Sequence, residues 1–181
     1  MDRYIAPTLH TARLFLRPHR SSDLDACAAM WGNPIVTRYI TGRASGHQET
    51  WMRILRYAGL WSMLGYGIWA VEECASSRFV GDVGFADFHR ELSPPIDGIP
   101  EAAWVLDPAF YGRGYATEAL RAALGWADAN ISAVRTACII APENVASIRV
   151  AEKAGYSERA EATYQGKPTV LLMRSRATPE N

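Results

Sequence analysis

The residues whose type and spacing best suit chemistry are two glycines just ahead of a predicted helix. Gly112 and Gly114 follow an apolar stretch that ends at Asp107-Pro108, and a helical pattern begins at Tyr115. Glycine has no Cβ to keep a ligand from the backbone, and the first N–H groups of a helix have no partner within it. The segment therefore predicts a cradle of main-chain amides for an anion such as a phosphate. A simple tight turn would have the same spacing.

The cradle differs from the two common nucleotide-binding fingerprints. A P-loop places Lys and then Ser or Thr after its last glycine, whereas Tyr115 and Ala116 follow Gly114 here. A dinucleotide fingerprint has a third glycine where Thr117 stands, and an acid about 20 residues further on for the ribose, which is missing. These differences disfavour a nicotinamide-dependent oxidoreductase.

A second polar pair follows about 25 residues later, at Asn144 and Ser147. The two positions are three apart, so on a helix their side chains share one face. Asn144 also suits the N-cap of a short helix, and that role is compatible with ligand contact.

Three blocks of the sequence resemble one known family, the GNAT superfamily of N-acetyltransferases. Tyr-Gly-Arg-Gly-Tyr-Ala-Thr-Glu-Ala, at 111–119, is similar to that family's acetyl-CoA pyrophosphate loop, and 144–156 is similar to its second signature, Asn-x-x-Ser followed by Lys-x-Gly-aromatic. The opening segment 9–18, with Asp23, resembles the subgroup that acetylates the N termini of ribosomal proteins. The resemblance extends from about Leu9 to Met173.

The resemblance implies an acetyl-CoA-dependent enzyme that moves the acetyl group directly to a primary amine in a ternary complex. The acceptor would be a peptide N terminus or a small amine. Pantetheine would pair with the main chain of a central strand and with a side chain of the second signature. The implied cofactor-binding residues are Val105, Leu106, Tyr111, Gly112, Arg113, Gly114, Tyr115, Ala116, Thr117, Asn144 and Ser147.

Transfer to an amine needs a base for the amine and a proton for the departing thiolate. Glu101, at the mouth of the predicted central strand, is the first candidate for the base, acting through water. Glu158 and Glu161 are alternatives. Ser147 is assigned to the sulfur, as hydrogen-bond donor or general acid. Tyr111, Tyr115 and Tyr156 are less favoured acids, and direct transfer needs no nucleophile from Cys27, Cys74 or Cys138.

Composition limits the partners. The 181 residues predict a single domain, 1–181, with a core at about 9–176. Lys plus Arg and Asp plus Glu number 19 each, so no global charge favours nucleic acid or an anionic membrane as partner.

No stretch approaches the ~20 apolar residues of a membrane span, and no signal-peptide core opens the chain, so we expect a cytoplasmic protein. The three cysteines lie too far apart to suggest a metal site. The expected state is monomer or homodimer.

The elements that would position these residues alternate between helical and strand patterns. The order predicts an α/β (α+β) fold with a mixed, mostly antiparallel central sheet and helices on both faces, as the resemblance also implies. A surface loop with no regular structure is expected at 89–100, and a frayed tail at 178–181. The predicted strands are 13–17, 68–71, 79–85, 102–106, 134–140, 156–164 and 169–174, and the helices begin near 22, 47, 116 and 144.

One alternative function stays open on the sequence: a noncatalytic module that binds acyl-CoA or a protein on the same fold. The acids Glu91, Asp97 and Glu101 in or beside the long loop hint at a cationic acceptor, although solvated loop charges are commoner.

Overall fold

The computed structural model describes residues 5–176. Its helices are α1 (Leu24–Trp31), α2 (Pro34–Thr37), α3 (His47–Leu64), α4 (Tyr115–Asn130) and α5 (Val145–Lys153). Its strands are β1 (Leu9–His10), β2 (Leu14–Arg17), β3 (Ile68–Glu73), β4 (Phe79–Ala86), β5 (Leu92–Ser93), β6 (Glu101–Leu106), β7 (Arg135–Ile140), β8 (Glu158–Tyr164) and β9 (Lys167–Ser175). Short 3₁₀ turns cover Ser21–Asp23 and Pro108–Phe110.

Within residues 5–176 the strands form one sheet in the order β1-β2-β3-β4-β6-β7-β9-β8-β5. Its neighbouring strands run antiparallel except for β6 and β7, which are parallel. The predicted mixed, mostly antiparallel sheet is therefore confirmed. In the described chain no helix is both long and apolar enough to cross a membrane.

Helices cover both faces of the sheet because side chains alternate along β6. Ala102 and Leu106 lie on one face, in the main core that α4 and α5 cover. Val105 points to the other face and packs against a second cluster that includes Trp31 of α1 and Ile54 of α3. The prediction of helices on both faces is confirmed.

The sheet opens between β6 and β7. The two strands are in register only at Glu101 and Ala137, where the Ala137 amide donates to the Pro100 carbonyl at 3.1 Å. Beyond that point β6 stays with β4 and β7 stays with β9. The result is a wedge-shaped gap that widens toward the C-terminal ends of β6 and β7.

Gly81 of β4 keeps β6 on its own side of this gap. A Cβ at Gly81 would lie 2.1 Å from the Val105 carbonyl oxygen, so only glycine permits so close an approach of the two backbones.

Three short elements were not predicted. The segment 89–100, expected to be irregular, contains β5, whose Leu92 and Ser93 pair with Tyr164 and Thr163. Leu92 and Ile96 are buried in a third apolar cluster, which holds the segment on the sheet. β1 and α2 have two and four residues, too few to show a periodic pattern. The predicted frayed tail at 178–181 lies outside the described residues.

Candidate active site

Two predicted blocks meet at one edge of the sheet. Because β6 and β7 are parallel, their C-terminal ends lie at the same edge. The glycine loop follows β6, and the Asn144–Ser147 segment follows β7. The two blocks therefore flank the open end of the gap, and crevices outside the carboxyl ends of strands are common ligand sites.

The glycine loop presents unpaired amides, as predicted. Gly112 and Gly114 adopt left-handed conformations, with φ of +73° and +79°, and Gly114 is the N-cap of α4. The first intrahelical bond runs from the Glu118 amide to the Gly114 carbonyl at 3.1 Å. The preceding amides, those of Tyr115, Ala116 and Thr117, therefore have no partner within the helix. They lie at the positive end of the helix dipole, an arrangement that favours an anion.

Contacts from the N-terminal part of the chain to Glu118, which we call the Arg13–Glu118 latch, fix the loop. They were not predicted from the sequence. Thr11 Oγ1 donates to Glu118 at 2.6 Å, and Arg13 Nε donates to the same carboxylate at 2.7 Å. Arg13 also donates to the Arg113 carbonyl at 2.9 Å. Burial alone would raise the pKa of Glu118, but the hydrogen bonds from Thr11 and Arg13 outweigh it and lower that pKa. The acid in the first turn of α4 was the available sequence signal for this latch.

A second carboxylate approaches the loop from β3. Tyr115 donates its hydroxyl proton to Glu73 Oε1 at 2.6 Å, and Arg113 lies 3.5 Å from the same oxygen. The pKa of Glu73 is lowered by hydrogen bonds from Ser76 and Tyr115, and the pKa of Tyr115 is raised chiefly by Glu73. In this structure Arg113 is therefore directed at a carboxylate, and a bound diphosphate would compete with Glu73 for it.

The main chain of β6 faces two ways. The Asp107 amide donates to the Val80 carbonyl at 2.9 Å, so by alternation the Val105 amide and carbonyl also face β4. The main-chain groups of Leu106, and of Trp104 two residues earlier, face the gap. Of the two residues predicted to pair with pantetheine, the structure thus turns Leu106 toward the gap and Val105 away from it.

Asn144 and Ser147 lie at the start of α5. The Asn144 side chain accepts from the Ser147 amide at 3.2 Å, so Asn144 is the N-cap of α5, as the sequence suggested. Both residues are half-buried. The amide of Ser147 is used in the cap, and its hydroxyl is not part of that bond.

Glu101, the first candidate for the base, lies at the closed end of the gap. The residue is only 4% exposed, and Arg90 Nε donates to its Oε2 at 2.7 Å. Burial raises the pKa of Glu101, and the hydrogen bond from Arg90 offsets part of that rise. A small cavity beside it has a free volume of ≈ 10 Å³, room for about one water molecule. The alternatives Glu158 and Glu161 are both exposed on β8.

The remaining candidate acids and thiols divide between exposed and buried positions. Tyr111 is 50% exposed on the loop, whereas Tyr156 is buried and donates to Thr136 at 3.0 Å. Cys27 and Cys138 are buried and Cys74 is exposed. Burial raises the pKa of the Cys27 and Cys138 thiols, which disfavours their nucleophilic thiolate forms.

His19, Cys27 and Asp82 form a buried polar cluster beneath α1 and α3, with ligand-type atoms within 4.8 Å of one another. Asp82 is already engaged: His19 Nε2 lies 2.9 Å from its Oδ1, and Trp31 Nε1 donates to its Oδ2 at 2.8 Å. These bonds tie α1 and the segment after β2 to β4.

Free helix N-terminal amides beside a gap in a mixed sheet suit an extended ligand that carries a phosphate group. The chain belongs to the acetyltransferase (GNAT) domain family, whose model matches residues 13–157. The protein is an N-acetyltransferase, and its cosubstrate is acetyl-CoA. The family and the cofactor predicted from the sequence are thereby confirmed.

Individual relatives agree with this placement. YoaA of Bacillus subtilis (strain 168), an uncharacterized N-acetyltransferase, is 27% identical over 157 residues, 84% of each chain. A structure described as a GNAT-family acetyltransferase from Bordetella pertussis is 29% identical, with a TM-score of 0.82 over 94% of this chain and all of that one. RimL, a ribosomal L7/L12 α-N-protein acetyltransferase solved with coenzyme A, shares the fold at 19% identity, with a TM-score of 0.73 over 93% of this chain and 98% of that one.

Proposed function

We propose that this enzyme transfers the acetyl group of acetyl-CoA directly to a primary amine, with both substrates bound at once, and that a peptide N terminus is the preferred acceptor over a small amine. The observation that carries the proposal is the gap between β6 and β7. Its open end meets the amide cradle of Gly112–Thr117, and its closed end holds the buried carboxylate of Glu101.

The cofactor would bind chiefly through the main chain. The amides of Tyr115, Ala116 and Thr117 suit the diphosphate, whose charge also favours the positive end of α4. The strand groups of Trp104 and Leu106 that face the gap suit the amide groups of pantetheine, in the manner of an added strand. This arrangement directs the thioester toward the end of the gap where Glu101 lies.

Glu101 would remove the proton of the attacking amine through a water molecule in the adjoining cavity. Its raised pKa makes it a stronger base than an exposed carboxylate, which suits proton transfer from an ammonium group. An N–H group of β6 that faces the gap would stabilise the negative charge that develops on the carbonyl oxygen. Ser147 would then donate a hydrogen bond or a proton to the departing thiolate.

Three arguments support a peptide N terminus as acceptor. An α-amino group has a pKa of about 7.7–8.0 and a lysine side chain about 10.4, so a carboxylate base needs to do far less for the α-amine. The negative charge of Glu101 is compensated by Arg90, which removes the strongest charge argument for a polycationic acceptor. RimL, which shares the fold, is named for acetylation of a protein α-amine.

The test is acetyl-CoA turnover over a panel of free-N-terminal peptides, N-blocked lysine peptides, polyamines and aminoglycosides, followed by release of the coenzyme A thiol. Mass spectrometry of the products identifies the acetylated atom. We expect the highest kcat/KM with a free-N-terminal peptide. Tight acetyl-CoA binding by calorimetry without turnover of any amine would instead support the noncatalytic alternative.

Direct transfer has its own test. Replacement of Cys27, Cys74 and Cys138 together by alanine should leave kcat unchanged, because no acetyl-enzyme is formed. A trapped acetyl-thioester on the wild-type protein, lost in the triple variant together with activity, would contradict direct transfer.

A further inference from the structure

We infer that Arg90 is a positioning residue for the reaction, which holds the Glu101 carboxylate in place and ionised through a bridge to Tyr164 of β8. The inference rests on the proposed function, in which Glu101 is the base. Arg90 lies in the segment between β4 and β5, where neither the sequence pattern nor the resemblance indicated a role.

Four contacts fix the Arg90 guanidinium. Nε donates to Glu101 Oε2 at 2.7 Å, and Nη1 donates to the Tyr164 hydroxyl at 2.9 Å. The guanidinium carbon also lies 4.4 Å from the ring centroid of Phe88 and 4.9 Å from that of Tyr164, so the cation is held between two aromatic rings. An arginine constrained in this way acts as a fixed counter-charge, which a flexible surface arginine does not.

Glu101 depends on such a counter-charge. Its side chain is only 6% exposed, so burial favours the neutral acid, and a neutral acid cannot accept a proton. The hydrogen bond and positive charge of Arg90 act in the opposite direction. Arg90 engages Oε2, and this bond leaves Oε1 available to the water or the amine.

Other titratable groups face Glu101, and their charges act on its pKa in opposite directions. Asp87, at the end of β4, raises the pKa of Glu101 by its negative charge, and Arg90 is the cation that offsets it. The remaining groups around the carboxylate lie on the cavity wall, on β7 and on β8: His89, Asp97, Cys138 and Tyr164. Removal of Arg90 therefore leaves both burial and Asp87 acting to keep the proton on Glu101.

The experiment is a pH titration of Glu101 by NMR of protein labelled with ¹³C in the glutamate carboxyl carbons, with Glu101→Gln identifying the signal. Arg90→Met should raise the titration midpoint by about one pH unit, which is a tenfold change in the ionised fraction below the midpoint. Arg90→Lys keeps the positive charge, so its Glu101 midpoint should lie close to that of the wild type. Tyr164→Phe removes one partner of Arg90 and should shift the midpoint upward by less.

The same variants are assayed as kcat/KM against pH with the best amine of the panel. For Arg90→Met we expect the rise of kcat/KM with pH to occur at higher pH, by the same amount as the NMR midpoint. At pH values above this rise, its activity should recover. Arg159→Met, an exposed arginine of β8, is the matched control and should change neither profile. Thermal melting checks the fold, and if Arg90→Met does not fold, the upward shift expected for Tyr164→Phe is the deciding measurement.

An unchanged Glu101 midpoint in folded Arg90→Met or, where that variant does not fold, in Tyr164→Phe would overturn the inference, as would an equal loss of activity at every pH. Failure of the proposed function is a separate result: a Glu101→Gln variant with full activity would remove Glu101 as the base, whatever the titration of the Arg90 variants shows.

Discussion

The two ends of the gap between β6 and β7 are built in opposite ways. The cofactor end consists of main-chain amides on an exposed loop, with Arg113 half-exposed beside them. The proposed acceptor end consists of a buried and a half-buried side chain, with Glu101 at 6% and Arg90 at 24% side-chain exposure. In the proposed function the ligand meets backbone at the first end, and at the second end it meets a carboxylate that is paired with one neighbouring cation.

This contrast predicts different sensitivities to mutation. A site made of backbone should tolerate most side-chain changes and fail only when the backbone conformation fails. A site made of buried side chains should respond to a change of a single atom, because low exposure strengthens each charge interaction.

The cofactor end should fail most severely in Gly114→Val. Gly114 has φ of +79°, which a β-branched residue avoids, so the loop must change shape and withdraw its amides from the diphosphate. The loss of two charge-assisted hydrogen bonds at roughly 1.5–3 kcal/mol each predicts about a 1000-fold loss of acetyl-CoA affinity by calorimetry. Gly125→Ala, in the exposed middle of α4 with open space around it, is the control and should bind normally.

At the acceptor end, Glu101→Gln should lower kcat/KM by about 100-fold, within the usual range for loss of a general base. Acetyl-CoA affinity should stay unchanged, because the substitution is isosteric and lies at the far end of the gap. Glu158→Gln and Glu161→Gln change exposed carboxylates of β8 and should retain activity. If Glu161→Gln lost activity while Glu101→Gln kept it, the base would have to be reassigned to β8.

The contrast also explains what the sequence could predict. The cofactor end was predictable because its function depends on local features, two glycines before a helix and a cap at Asn144, which a short segment specifies by itself. The mixed sheet was predictable because long apolar strands and helices have clear periods. The orientation of Val105 toward β4 was not, because it depends on the register of β6 against β4.

The acceptor end was predictable only in part. Glu101 could be singled out from its place before the central strand, but its partner Arg90 lies 11 residues earlier in an irregular segment, and Tyr164 lies 63 residues later. Only the packing of β5 against β8 brings these groups together. The Arg13–Glu118 latch was missed for the same reason, since 105 residues separate its two sides.

Ser147→Ala tests the one side chain that we place on the departing thiolate. The Ser147 amide keeps its bond to Asn144, so the cap should survive and the melting temperature should stay the same. We expect kcat to fall about tenfold, corresponding to roughly 1.4 kcal/mol for one hydrogen bond to a charged group. Ser157→Ala, at an exposed position before β8, is the control. If Ser147→Ala kept the full rate, the proton for the departing thiolate would have to come from solvent.

The smallest expected effects separate charge from shape at the cofactor end. Arg113→Met should raise the KM for acetyl-CoA about threefold, because an exposed ion pair is worth up to ~1 kcal/mol and the amides remain. Glu73→Gln should act in the opposite direction and lower that KM about threefold, because it removes the negative charge that competes with the diphosphate for Arg113. The side-chain oxygen of the glutamine can still accept the hydrogen bond from Tyr115. Added salt should diminish both effects, because both groups act through partly screened charge. If Glu73→Gln weakened binding as Arg113→Met does, Glu73 would be needed for the shape of the loop, and the cofactor end would depend on buried side-chain contacts as the acceptor end does.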